Sequence, residues 1–340
     1  MSTLNSSLPT NLGQQHKLAK DLLRAAREDD TAALYRIRAV RSDAASPPRS
    51  LKLADAQLAI AREAGFDSWP KLVADFQERD VQTFCDAVRR GDVEQTQRLL
   101  ALAHVRKRIN DPMFDFGGRA AHAAAKNERL LAVLIEAGAD VNLKSNWANG
   151  PYAVLDHADE GTARFLLSRG ATLSPNVAAR LGWFDELRAM VDANPSLVHA
   201  RGGDGQQPLH QAKSVEIADF LLDHGAGIDA RCIDHKSMPA QYALVDRPDV
   251  CRRLLVRGAT PDIFMAARSG SHELPTRLLD SDPNCVAARI HEPGYGPVPP
   301  LHIYCWTLGF GRSPHDIAIK FGRREVLDLL VSRSPARIRL

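Results

Sequence analysis

The sequence has no basic segment followed by an apolar core near its start, and no apolar run long enough to span a bilayer. Neither a secreted nor a membrane-spanning protein is expected, and a cytoplasmic one is. Cysteine is scarce: Cys85, Cys232, Cys251, Cys285 and Cys305 are odd in number, widely spaced and without a Cys-x-x-Cys pair. That spacing gives no support to a zinc site, so reduced thiols, no metal and no cofactor are the expectation. An excess of one charge is also missing. The 44 Lys and Arg side chains stand against 41 Asp and Glu, a net charge of +3, which leaves no electrostatic footprint for nucleic acid. The basic clusters at 105–109 and 332–340 are short and read as solvated helix ends and a tail.

What the sequence does have is a repeat. A Leu-Leu-type helix end followed by Gly-Ala recurs as LIEAGADVN at 134–142, LLSRGATLS at 166–174, LLDHGAGID at 221–229 and LLVRGATPD at 254–262. The glycines are Gly138, Gly170, Gly225 and Gly258, separated by 32, 55 and 33 residues. A period near 33 predicts stacked helical hairpins, with each glycine ending a helix in the left-handed region. An apolar content of 44% supports a continuous core. By length alone 340 residues suggest about two domains, but a repeat array grows without splitting.

A second signature follows the turns: QPLHQA at 207–212, PPLHIY at 299–304 and SPHDIA at 313–318. Pro208, Pro300 and Pro314 suit a first helical turn, where no amide partner is lost. Together with the Gly-Ala turns, these segments resemble the Thr-Pro-Leu-His-x-Ala start of an ankyrin repeat, and the resemblance covers about residues 80–335. It implies an all-α ankyrin-repeat solenoid of about 7–8 helix-turn-helix repeats with short hairpin fingers. It also implies that His122, His210 and His302 bond backbone between adjacent hairpins. In the last repeat Asp316 takes that position.

A longer period is present as well. Gly170 to Gly258 and Asn194 to Asp282 are each 88 residues, as expected from duplication of a three-repeat block. In each block one repeat has only LSPN or PDIF where a finger should be, so a gap is expected in the row of fingers. The segment 290–312 interrupts the pattern and carries Tyr295, Tyr304, Trp306 and Phe310. Its aromatics argue against disorder, and irregular loops of this kind are commonly functional.

Residues 1–14 read as a flexible N-terminus and 15–79 as a helical cap, with a polar break at 41–50 and two helices around Gly65. Ser68 and Pro70 suit the start of the second of these. The array is expected over 80–340, beginning with a capping hairpin at 86–103.

In ankyrin arrays partners bind the finger tips and inner helices. By that resemblance the tips fall at Trp147–Asn149, Gly203–Gln206 and Asp234–Ser237. Ligand- or partner-binding candidates are Trp147, Asn149, His157, Gln211, Asp234, His235, Tyr242, Tyr295, Tyr304 and Trp306. Trp147 stands in the polar setting NWANG, where no helical period buries it, as a binding anchor would. The expected function is a binding module, monomeric, that recognises a protein partner through this face. The alternative is an enzyme or small-molecule sensor with a pocket in the same concavity. His235, Asp234, His302 and Tyr304 would then supply cofactor-independent acid–base chemistry. A cavity of about 300–1,000 Å3 with converging His, Asp and Tyr side chains would favour that alternative.

Overall fold

The computed structural model describes residues 11–41, 47–292 and 301–334. Among the described residues the chain is all-helical, with 20 α-helices and no strand. No helix is long and apolar enough to cross a membrane. The chain divides into two units, Met1–Ile109 and Asn110–Leu340.

The first unit is built from helices Leu12–Arg27, Thr31–Arg38, Leu53–Glu63, Trp69–Arg90 and Val93–Leu100, with the short turn Ala103–Arg106. Asn11 caps the first by accepting from the Gln14 amide, so regular helix begins inside the stretch expected to be flexible. Ser68 caps Trp69–Arg90 and Pro70 lies in its first turn, as expected. That helix runs through the boundary placed at 79/80. Its apolar face continues with Val81, Phe84, Cys85 and Val88, and nothing stops it before Gly91 at φ 71°. The capping hairpin at 86–103 accordingly belongs to this unit.

The second unit is a succession of helix pairs. In order they are Ala120–Ala123 with Glu128–Glu136, Val154–His157 (a 3-10 turn) with Glu160–Ser168, and Pro175–Leu181 with Phe184–Ala193. Then come Pro208–Gln211 with Val215–Asp223, Pro239–Ala243 with Pro248–Val256, and Ile263–Arg268 with Glu273–Ser281. The single turn Tyr304–Thr307 precedes the last pair, Pro314–Lys320 with Arg324–Arg333. First helices pack on first helices, as Pro208–Gln211 does between Pro175–Leu181 and Pro239–Ala243, and second helices on second. Leu131, Leu134, Leu166, Leu187, Leu221 and Leu254 are fully buried along this stack.

The four Gly-Ala turns close identically. The alanine amide returns to the carbonyl five residues back (Ala139 to Leu134, Ala171 to Leu166, Ala226 to Leu221, Ala259 to Leu254) at 2.9–3.0 Å. The glycines have φ of 88–104°. This bond needs a left-handed residue before the alanine, which is why glycine stands there.

The starts of the first helices share another device. His122 Nδ1 accepts from the Arg119 amide while Nε2 reaches the Tyr152 carbonyl at 3.0 Å. His210 accepts from Gln207 and reaches Ser237 in the same way. Gln241 and Asp316 close the same box at Met238 and Ser313. The third histidine motif behaves differently. Pro300 lies outside the described residues, the helical turn starts only at Tyr304, and His302 Nδ1 accepts from the Tyr304 amide.

A side-chain ladder on the other edge was not read from the sequence. Asn110 and Asn142 each donate to the next turn's glycine carbonyl, Gly138 or Gly170, and accept from the Asp140 or Thr172 amide. Asn142→Ala removes both bonds at an exposed site. It is expected to lower stability by about 1 kcal/mol, read as a fall in urea midpoint at unchanged slope.

Two pairs, Pro175–Ala193 and Ile263–Ser281, follow their Gly-Ala turn without a finger. The fingers on either side therefore meet directly. The Asp204 amide donates to the Gly150 carbonyl over the first pair. Over the second, the Ile303 amide donates to Ser237 Oγ. Beneath that second junction Tyr304 is fully buried. Its hydroxyl donates to Asp262 Oδ2 at 2.9 Å and its ring packs edge-on against Phe264.

Candidate functional site

Three loops of the second unit converge: 145–152, 202–206 and 232–237. Their backbones are stitched in order, Asp204 N–H to the Gly150 carbonyl, then the Ile233 and Asp234 amides to the Asp204 carbonyl. Glycines allow this approach. A Cβ on Gly150 would stand 2.0 Å from the Gly205 nitrogen, and one on Gly203 would stand 2.3 Å from the Tyr152 ring. Asp204, at φ 56°, turns the second loop so that its carboxylate faces the third.

At the meeting point Asp204, Asp234 and His235 come together with side chains 12–13% exposed. His235 Nε2 lies 3.4 Å from Asp234 Oδ2 and 3.8 Å from Asp204 Oδ2. Each member of the trio is fixed from behind. Asn149 Nδ2 donates to Asp234 Oδ1 at 2.8 Å, and the Tyr152 hydroxyl donates to Asp204 Oδ1. Burial first, and then that bond, push the Tyr152 phenol upward, so it remains a donor. His235 Nδ1 lies 2.6 Å from the Leu301 carbonyl. A carbonyl only accepts, so Nδ1 carries the hydrogen and Nε2 faces the two carboxylates.

The trio closes one end of a cavity of about 560 Å3. Phe116, Trp147, Leu301, Ile303 and Trp306 form its walls. Phe116 and Trp147 meet edge to face at 5.0 Å. Phe116 and Trp306 are 59% and 66% exposed, more open to solvent than large aromatic side chains with only a packing role. Phe116 also sits at φ 56°, a conformation that costs a bulky residue about 1–3 kcal/mol and concentrates at binding sites. The Trp147 indole N–H is enclosed and has no hydrogen-bond partner among the described residues.

A smaller cavity of about 220 Å3 adjoins it through Tyr152 and Asp204. It lies where the fingerless pair Pro175–Ala193 leaves a gap, and that pair contributes Asn176 and Arg180 to its lining. Asp156, His157 and Gln211 also face it. Burial pushes the Asp156 carboxyl up and the His157 imidazole down, so both tend toward their neutral forms.

Of the residues expected from the sequence, Trp147, Asn149, Asp234, His235 and Trp306 line the larger cavity, and His157 and Gln211 the smaller. Tyr242 lies behind the site, its hydroxyl 3.4 Å from Cys232 Sγ and its ring against His210. Tyr304 is a packing residue and presents no surface, because the gap in the second block needs filling. His302 is buried too. Its ring packs 4.6 Å from Tyr304, and burial pushes its pKa down to about 4. Tyr295 falls outside the described residues. Phe116, Tyr152 and Asp204 were not singled out from the sequence. The trio has the donor set of a metal site, although linear spacing gave no sign of one.

No family model matches this sequence, and no curated protein is similar to it.

Proposed function

We propose that the second unit is an ankyrin-type array of helical hairpins that binds a small organic ligand in the finger-tip cavity. The shared Gly-Ala turns, the boxes closed by His122 and His210, and the pairwise stacking support the ankyrin reading. The single observation that carries the ligand reading is the larger cavity, about 560 Å3 with apolar walls and one fixed polar end. Small-molecule sites have that size and that division of labour, with apolar contact giving affinity and a few polar groups giving orientation.

The alternative, a protein partner gripped across a broad face, draws less support. Of the aromatic residues expected on that face, Tyr242 and Tyr304 are turned inward or fully buried, and Trp147 and Trp306 face one cavity.

Native mass spectrometry on the chain isolated gently from its own host tests this function. The expected result is a bound small molecule of defined mass, absent from the Trp306→Ala chain. Trp306 is mostly exposed, so its truncation leaves the fold intact. A co-purifying polypeptide lost in the same variant, with no small molecule, would restore the protein-partner reading. A small molecule retained by the variant would place the site elsewhere.

A further inference from the structure

We infer that the ligand of the finger-tip cavity is a primary amine with an apolar body, bound through its ammonium group. This rests on the cavity being the binding site, and adds the chemical class of what enters it.

The closed end of the cavity carries more acidic than basic groups. Asp204 and Asp234 each have one oxygen engaged by a neutral donor, Tyr152 or Asn149, and turn the other toward His235 Nε2, where Asp204 Oδ2 also accepts from Gln206 Nε2 at 3.4 Å. The Leu301 carbonyl holds the hydrogen of His235 on Nδ1. Two carboxylates therefore share one imidazole nitrogen, which can balance at most one of their charges. No Lys or Arg is among the described residues lining the cavity. Two carboxylates in a partly dry site favour a further positive partner, because unpaired buried charge is costly.

The geometry selects the kind of cation. One carboxylate oxygen of Asp204 and one of Asp234 lie within 4.8 Å of each other. Acceptors about 2.9 Å from a tetrahedral ammonium nitrogen lie about 4.7 Å apart, so one –NH3+ group can donate to both carboxylates. A primary ammonium has three N–H donors for this purpose, and a quaternary ammonium has none. The walls favour an organic ion over a metal. Phe116, Trp147 and Trp306 offer ring surfaces to a cation and its carbon skeleton, and a volume of about 560 Å3 is far more than a lone ion needs.

Titration calorimetry of the full chain at pH 7 with four probes tests the inference. They are 2-phenylethylamine, its N,N,N-trimethyl derivative, 2-phenylethanol and 3-phenylpropanoate. The amine is expected to bind at least tenfold tighter than the trimethyl derivative and the alcohol, and the carboxylate weakest. The double variant Asp204→Asn, Asp234→Asn keeps the shape of both side chains, and Asn tolerates the positive φ at 204. It should bring the amine to the alcohol's affinity and leave alcohol binding within twofold.

Equal binding of amine and alcohol, or preference for the carboxylate, would overturn the ammonium assignment while leaving the cavity as the site. A trimethyl derivative that matches the amine would overturn N–H donation to the two carboxylates. Tight binding of Mn2+ or Zn2+ that disappears in the double variant, with amine binding unchanged, would make the trio a metal site instead. Failure of all four probes at 10 mM would also reject the assigned class. The cavity itself is judged separately, by whether Trp306→Ala releases the molecule carried from the host.

Discussion

Gly150→Ala is expected to dismantle the site. The new methyl group would stand 2.0 Å from the Gly205 nitrogen and 2.6 Å from the Asp204 carbonyl carbon, and neither backbone can move without breaking the loop-to-loop bonds. The residue also holds φ 132°, which L side chains rarely adopt. The two penalties together are expected to cost about 3 kcal/mol or more and to abolish ligand binding. Gly170→Ala is the matched control. It has φ 88° but nothing within 4 Å of its Cβ, so only conformational strain of about 1–2 kcal/mol is expected. Thermal unfolding of the two variants, followed by indole fluorescence, separates the cases. A Gly150→Ala chain that unfolds with or after Gly170→Ala would show that the loops do not meet as described.

Acid lability is the second large effect. Burial pushes the His210 and His302 pKa values down to about 4, from an ordinary value of 6.5. Both rings stay neutral in the folded chain over that interval, whereas the unfolded chain takes up their protons near pH 6.5. Unfolding therefore binds protons between pH 6.5 and 4. The stabilising contribution is complete above 6.5 and lost as the pH falls through that window. Each ring is expected to account for about 3 kcal/mol, so stability should drop by about 6 kcal/mol from pH 7 to pH 4. His122, lowered in the same direction by burial, adds to it. His210→Gln provides the test, because Gln241 already closes the equivalent box in the next pair without titrating there. Urea unfolding across this range should show roughly half the pH dependence in that variant. An unchanged slope would remove His210 from the account.

Much of this molecule was legible because its signals are local. A Gly-Ala after a leucine pair specifies its own turn through bonds spanning five residues, as Gly138 and Ala139 show. Trp147 stood out because no helical period could bury it, and Asn149, Asp234 and His235 because the ankyrin resemblance put them at finger tips. The missing fingers at LSPN and PDIF were visible as deletions. Asp204 lay inside the expected tip Gly203–Gln206 but was not named as a candidate. In sequence it is the middle of Gly-Asp-Gly, an ordinary turn, and its role comes from Tyr152, 52 residues away, and from the loop that carries His235. Phe116 takes a positive φ that its residue type does not announce. Tyr304 misled for a physical reason. An aromatic in an irregular insertion reads as exposed, yet here it fills the space left by a shortened neighbour. The metal-like donor set arose the same way, from two loops whose contact no spacing rule encodes.

The direct meeting of loops over the fingerless pairs changes how the second unit should respond to damage. In stacks of helical hairpins each unit ordinarily touches only its neighbours, so stability is a sum of adjacent terms. Here Gly150 bonds to Asp204 across an intervening pair, and Ser237 to Ile303 across another. These two bonds each join the tips on either side of a fingerless pair. Fraying that begins at one end must break a tip contact two hairpins ahead before it can advance by one. The stack is thereby bound into longer cooperative blocks than its repeat length implies.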